Sequence, residues 1–149
     1  MAIYAKIKGT KQGALTGGVA AAGFTGQIQV NTAEFGVGNQ ADTSTGMSVG
    51  RRIARPLQIT KPLDRSSPLL HTACVTNETM TVDLAYVIEG QGHKPYVTIS
   101  LTNAIIRDYT HEASFDGGGI ERLSFTYTKI EFTWVNGGIV STDDWTSAA

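Results

Sequence analysis

Leu123-Ser124-Phe125-Thr126-Tyr127-Thr128-Lys129-Ile130-Glu131-Phe132-Thr133-Trp134-Val135 is the stretch that decides how this chain folds. Apolar and polar residues alternate along it, the period of a strand that has a covered face. Leu123, Phe125 and Tyr127 point one way, whereas Ile130, Phe132 and Trp134 point the other. The phase therefore changes near Thr128-Lys129. A β-bulge at that point accounts for it. So does a strand buried on both faces, one by its own core and one by a neighbouring subunit.

The same period recurs upstream. Met80, Val82, Leu84, Tyr86 and Ile88 alternate with other residues over 79–88. Val97, Ile99, Leu101 and Ile105 do so over 97–107, with Thr98, Ser100 and Thr102 between them. Ile53, Leu57 and Ile59 form a third set, and Ile3, Ala5 and Ile7 a fourth. Turn-like breaks fall at Glu89-Gly90-Gln91-Gly92 and Asp116-Gly117-Gly118-Gly119. The pattern is a meander of antiparallel hairpins.

Residues 66–77 depart from it and read as one short α-helix. Ser66 or Ser67 is placed to cap its start, and Pro68 suits a first turn that needs no N–H. Leu69, Leu70, Ala73 and Cys74 share a face, and Asn77 is a natural stop. Two stretches read as loose: 8–26, with six glycines and Ala20-Ala21-Ala22, and 36–50, whose few apolar residues are Met47 and Val49. The second is longer than most hairpin connections. No internal repeat or linker divides the chain, so 1–149 reads as one domain.

Charged residues make up only 17% of the 149 residues, against ~25% in typical soluble domains. A surface this poor in charge suggests cover by another subunit. The net charge of -1 gives no general attraction to nucleic acid or acidic membrane. Cys74 is the single cysteine, which fits a reducing compartment. The start, Met1-Ala2-Ile3-Tyr4-Ala5-Lys6, lacks the basic-then-apolar pattern of a signal peptide. No apolar run approaches the ~20 residues of a membrane span. The expectation is a protein made in the cytoplasm that does not insert in a membrane.

No catalytic, metal or cofactor site emerges. His71 and Cys74 form an H-x-x-C pair, but a zinc site needs a second pair and none is present. Cys74 lies on the apolar helix face and reads as a small hydrophobe, not a nucleophile partnered by His93 or His111. Gly117-Gly118-Gly119 lacks the Gly-Lys-Ser/Thr of a phosphate loop. The carboxylates are scattered, and none is singled out as half of a dyad. Arg51, Arg52, Arg55, Lys61 and Arg65 crowd into fifteen positions with Asp64 as the one acid. Two readings stay open for them: a solvated strand edge that blocks unwanted pairing, or a contact with an acidic partner or subunit.

Three segments in this order resemble one family. They are Thr45-Gly46-Met47-Ser48-Val49-Gly50-Arg51, then Lys61-Pro62-Leu63-Asp64-Arg65-Ser66-Ser67-Pro68-Leu69-Leu70, then the closing stretch from Leu123 to Trp134. Together they are similar to the haemolysin-coregulated protein (Hcp) family, the tube protein of the type VI secretion system. Tyr127-x-Lys129-Ile130-Glu131-Phe132-Thr133-Trp134 is the most specific part.

The resemblance implies a mainly β fold, two antiparallel sheets forming a barrel-like sandwich with one short helix. It implies a homo-hexameric ring that stacks into a hollow tube inside contractile sheath proteins. The tube delivers a spike protein and small effectors and leaves the cell through the type VI apparatus. It implies no enzyme activity, and the chain ending soon after Trp145 leaves no room for an added toxin domain. The segment 9–26 lies outside the pattern. Met47, Val49, Arg51, Arg52, Ile130, Phe132 and Trp134 are the expected subunit-interface residues. The loop 39–52 is expected to reach an adjacent ring. The runner-up is a tail-tube subunit of a contractile phage or phage-like particle. A third reading, a ligand-binding or hydrolytic β-sandwich, would need His71, Cys74, His93 or His111 to converge on a pocket.

Overall fold

The structure, a computed structural model, describes residues 1–41, 44–47, 50, 52–88 and 94–145. In chain order the elements are β1 (Ala2–Gly9), β2 (Gly13–Leu15), β3 (Ile28–Val30), β4 (Thr32–Gly38), β5 (Ile53–Pro62), α1 (Ser67–Val75), β6 (Met80–Val87), β7 (Pro95–Ser114), β8 (Gly118–Thr126), β9 (Lys129–Trp134) and β10 (Ile139–Asp144). Every strand pairing is antiparallel. The turn expected at 89–92 lies outside the described residues.

The strands form two sheets packed as a sandwich. In the first, β2 and β3 pair with β1, which is followed by β6, the first half of β7, β9 and β10. In the second, the other half of β7 is followed by β8, β5 and β4. The long strand β7 serves both. Val97, Ile99 and Leu101 face the core before its turning point; Ala104 and Ile106 face it afterwards. The change is at Asn103, whose φ of 52° is one that asparagine tolerates better than most residues. Simple alternation through Ile105 therefore fails: Ile105 is half-buried and Ile106 takes the inner position. A second corner lies between β3 and β4. Ile28–Val30 pairs with β1, Asn31 N–H donates to Thr60 O at 2.7 Å, and Thr32 pairs with Thr60.

The phase change in 123–135 has a third cause besides the two expected. The stretch is two strands. β8 ends at Thr126 in the second sheet, and β9 begins at Lys129 in the first. Thr128 N–H donates to Thr102 O (3.1 Å) where the chain crosses. Alternation restarts because the covering sheet is now on the other side.

Segment 8–26 is less loose than its glycines suggest. Gly17 N–H donates to Gly26 O (2.9 Å), and Gly26 N–H to Val19 O (2.9 Å). Phe24 is buried and stacks on Tyr4 with ring centres 4.7 Å apart. The helix falls where expected and stops before Asn77, whose φ is 52°. Neither serine caps it through its side chain, because both hydroxyls are engaged elsewhere. Leu70 and Ala73 are fully buried against the sandwich, with Leu69 and Cys74 packed beside them. The core between the sheets centres on Leu57, Ile59, Leu84, Ile99, Leu101, Leu123 and Phe125.

Candidate assembly surface

Two polar clusters fix the helix end of the molecule. Register places Lys61 of β5 opposite Glu121 of β8, and both side chains are completely buried. Lys61 Nζ lies 2.5 Å from Glu121 Oε1 and 3.1 Å from Asp64 Oδ1, and donates to Pro62 O at 2.9 Å. Ser67 Oγ donates to Glu121 Oε1 (2.6 Å) and accepts from Asp64 N–H (3.0 Å). Tyr109 O–H donates to Glu121 Oε2, and Ser66 O–H to Asp64 Oδ1. An isolated charge at such a depth is very costly. Here each charge meets an opposite one, and among the described residues no buried side-chain nitrogen or oxygen is left without a hydrogen-bond partner.

The second cluster is built on Glu78, just after the helix. Its carboxylate accepts N–H bonds from Lys11 (2.9 Å), Gln12 (2.8 Å) and the Gln12 side chain (3.0 Å). Gln12 also donates to Leu69 O at 3.0 Å, tying the β1–β2 turn to the helix. A Cβ at Gly9 would overlap that carboxylate, so only glycine fits there. Burial opposes the charge, but the N–H bonds from Gln12 and Lys11 outweigh it and hold the Glu78 pKa below its ordinary value.

The opposite end is unfinished. Ile130, Phe132 and Trp134 of β9 oppose Leu101, Ile99 and Val97 and face the same way as those core residues. Ile130 is 8% exposed, Phe132 42% and Trp134 47%. The covering sheet runs out along the strand. Phe35 of β4 meets Phe132 edge-to-face at 5.5 Å, and Tyr96 meets Trp134 in the same manner at 5.8 Å. Among the described residues no further ring contact covers Phe132 or Trp134, and both remain more than two-fifths exposed. Val135, Ile139 and Val140 on the β9–β10 hairpin are exposed too, as are Val37 and Ile53 at the adjoining ends of β4 and β5. Clustered exposed apolar side chains of this kind mark interaction surfaces.

The basic cluster divides into separate roles. Arg52 makes a two-pronged contact with Asp143 (2.6 to 3.0 Å) and lies 4.6 Å from the ring centre of Trp145. Lys61 is internal. Arg55 and Arg65 are exposed. Val49 and Arg51 lie outside the described residues. Met47 is 68% exposed.

Cys74 Sγ donates to Ile106 O at 3.8 Å, whereas His71 meets the Tyr109 ring edge-on. His71 and His111 both border a shallow depression, but the adjoining Ser67 hydroxyl is committed to Glu121. His93 lies outside the described residues. Among the described residues no three His, Cys, Asp or Glu side chains gather as metal ligands, and no helix is long and apolar enough to cross a membrane.

Residues 4–134 match the family described as "Type VI secretion system effector, Hcp". The chain belongs to the Hcp family. It is 34% identical to the "Major exported protein" of Pseudomonas aeruginosa, over 97% of this chain and 95% of that one. Among solved structures, Hcp1 from E. coli aligns with a TM-score of 0.87 and 26% identity, over 97% of this chain and 99% of the other. The secreted protein Hcp3 of P. aeruginosa aligns at 0.78 and 29%, over 96% and 99%. The Hcp resemblance carried by 61–70 and 127–134 thus maps onto the two contrasting ends, the buried polar cluster and the uncovered ribbon. Glu121 and Glu78 were not legible as special. The one available signal was register, which brings Lys61 and Glu121 together across sixty residues.

Proposed function

We propose that this chain is the structural subunit of a type VI secretion inner tube. It assembles as a homo-hexameric ring, rings stack into a hollow tube, and the tube is exported through the apparatus with spike and effector proteins. It catalyses nothing. The 1–149 segment acts as one tube domain.

The observation that carries this reading is the core-facing but uncovered Phe132–Trp134 ribbon in a chain of the Hcp family. A large aromatic side chain buries about 150–250 Å², so covering the open part of these two is worth on the order of 4–5 kcal/mol at about 25 cal/mol per Å². Phe132 and Trp134 form the centre of the lateral contact. Ile130 backs them from within the core; Met47, Val49, Arg51 and Arg52 are assigned to the same contact on the sequence alone. A ring needs such a patch to meet a different patch on the neighbour.

Negative-stain imaging with light scattering of the purified protein tests the reading. Six-membered rings are expected, and Trp134→Glu should yield monomers that retain the wild-type circular dichroism spectrum. Wild-type protein that stays monomeric at high concentration, with no rings in the images, would overturn it.

A further inference from the structure

β7 and β8 remain paired out to Ser114 opposite Gly118. Ser114 Oγ accepts the Gly117 N–H at 3.1 Å, and Gly118 has a φ of 70°, so the tip has a defined shape. That tip displays Phe115, which is fully exposed, and Asp116, which has no ion pair among the described residues. Leu63 and Ile120 at the same end are each 38% exposed. A lone surface phenylalanine needs no explanation. One with apolar neighbours and an unpaired carboxylate beside it is a shaped feature.

A matching feature lies at the other end of the same ladder. Pro62 opposes Ile120 near the tip, and Leu57 opposes Phe125 toward the far end. There Pro56, Tyr127 and Trp145 line a cleft of about 250 Å³ with Arg55 and Arg107 beside them. Drug-sized ligands take roughly 300–1,000 Å³, so the cleft suits a side chain better than a metabolite. Arg52 is satisfied by Asp143. Arg55 has no ion pair among the described residues, and Arg107 reaches only its exposed neighbour Asp108 at 4.0 Å. The tip offers an aromatic ring and an unpaired acid. The cleft offers aromatic walls and two cations.

We infer that Phe115 and Asp116 of one copy dock into the Arg55, Arg107 and Trp145 cleft of a second copy. The phenyl ring packs on the aromatic walls and the planar guanidinium groups, and the carboxylate accepts from arginine. Tip and cleft stand at opposite ends of one sheet, so a chain cannot fill its own cleft. Each copy gives a tip to one neighbour and receives one from the other, a head-to-tail contact that repeats through an assembly. This names the partner of a second surface and rests on the tube-subunit reading.

The test uses full-length protein and light scattering to find the concentration of half-assembly. Phe115→Ala with Asp116→Lys is one variant; Arg55→Glu with Arg107→Glu is the other. All four side chains are exposed, and a wild-type circular dichroism spectrum confirms folding. Each variant should raise the half-assembly concentration about tenfold or more. Exchanging the charges in one chain, Asp116→Arg with Arg107→Asp, should lower it again relative to Asp116→Arg alone. Variants that assemble like wild type, or a charge exchange without recovery, would overturn the docking and leave the tube-subunit reading intact. Wild-type protein that never assembles would overturn both.

Discussion

The surroundings of Lys61 and the ribbon around Trp134 hang on the same two sheets but are completed in opposite ways. Around Lys61, charge is taken fully out of water and every partner comes from the chain itself. Around Trp134, the outer part of a core-facing row is left half-exposed. One end stabilises the subunit; the other is the end we propose is completed only in the assembly. Disturbing the first should therefore be felt in the isolated subunit, and disturbing the second only among many.

The sharpest way to break that contrast is Lys61→Met, which strands Glu121 as a buried unpaired charge. Chemical denaturation of dilute protein should show a loss of about 3–5 kcal/mol, and Lys61→Met with Glu121→Leu should regain much of it. A loss below about 1 kcal/mol for the single change would mean that the pair is not sealed from water. Next in size is Glu78→Gln, expected to cost about 1–3 kcal/mol by the same measurement. Glu78 also has a pH signature. Its folded pKa lies below the ordinary 4.5, so its contribution is complete above that value and is lost as the pH falls through the lowered one. Thermal melts should fall with acid below about pH 4.5 less steeply in Glu78→Gln than in wild type.

The smallest effect on the subunit should come from Trp134→Ala. It removes a half-exposed side chain whose ring partner within the chain is Tyr96, so dilute-protein stability should change by about 1 kcal/mol or less. Assembly measured by light scattering should collapse in the same variant. A large loss of subunit stability with rings intact would reverse the assignment of the two ends.

The sequence shows the two regions unequally, for physical reasons. Alternation in 80–84 and 97–101 reports a covered face directly, whereas the expected alternation through Ile88 fails because a register shift after Tyr86 turns Val87 inward and leaves Ile88 exposed. Pro68 and Asn77 bracket the helix through local backbone preferences. The corners are harder. Asn103 re-phases β7 with one left-handed residue, and nothing in its neighbours announces it. Near Thr128-Lys129 the alternation does change, but a bulge, a doubly covered strand and a change of sheet all leave that mark. Lys61 is harder still. A lysine in a basic stretch reads as surface until Glu121 is set opposite it, and that pairing is a long-range matter of register. The ribbon was legible as apolar, but how far the opposite sheet extends over it was not. That extent separates buried Ile130 from exposed Trp134.

β7 has one more consequence. Between Val97 and Thr102 it pairs with β6 on one side and β9 on the other, and it then passes unbroken into the second sheet to pair with β8. Neither sheet can peel away while the other stays whole. Amides in 97–102 should exchange with deuterium at a single slow rate set by global opening, and limited proteolysis should find no half-folded fragment to release. One shared strand makes two sheets melt as a single cooperative unit.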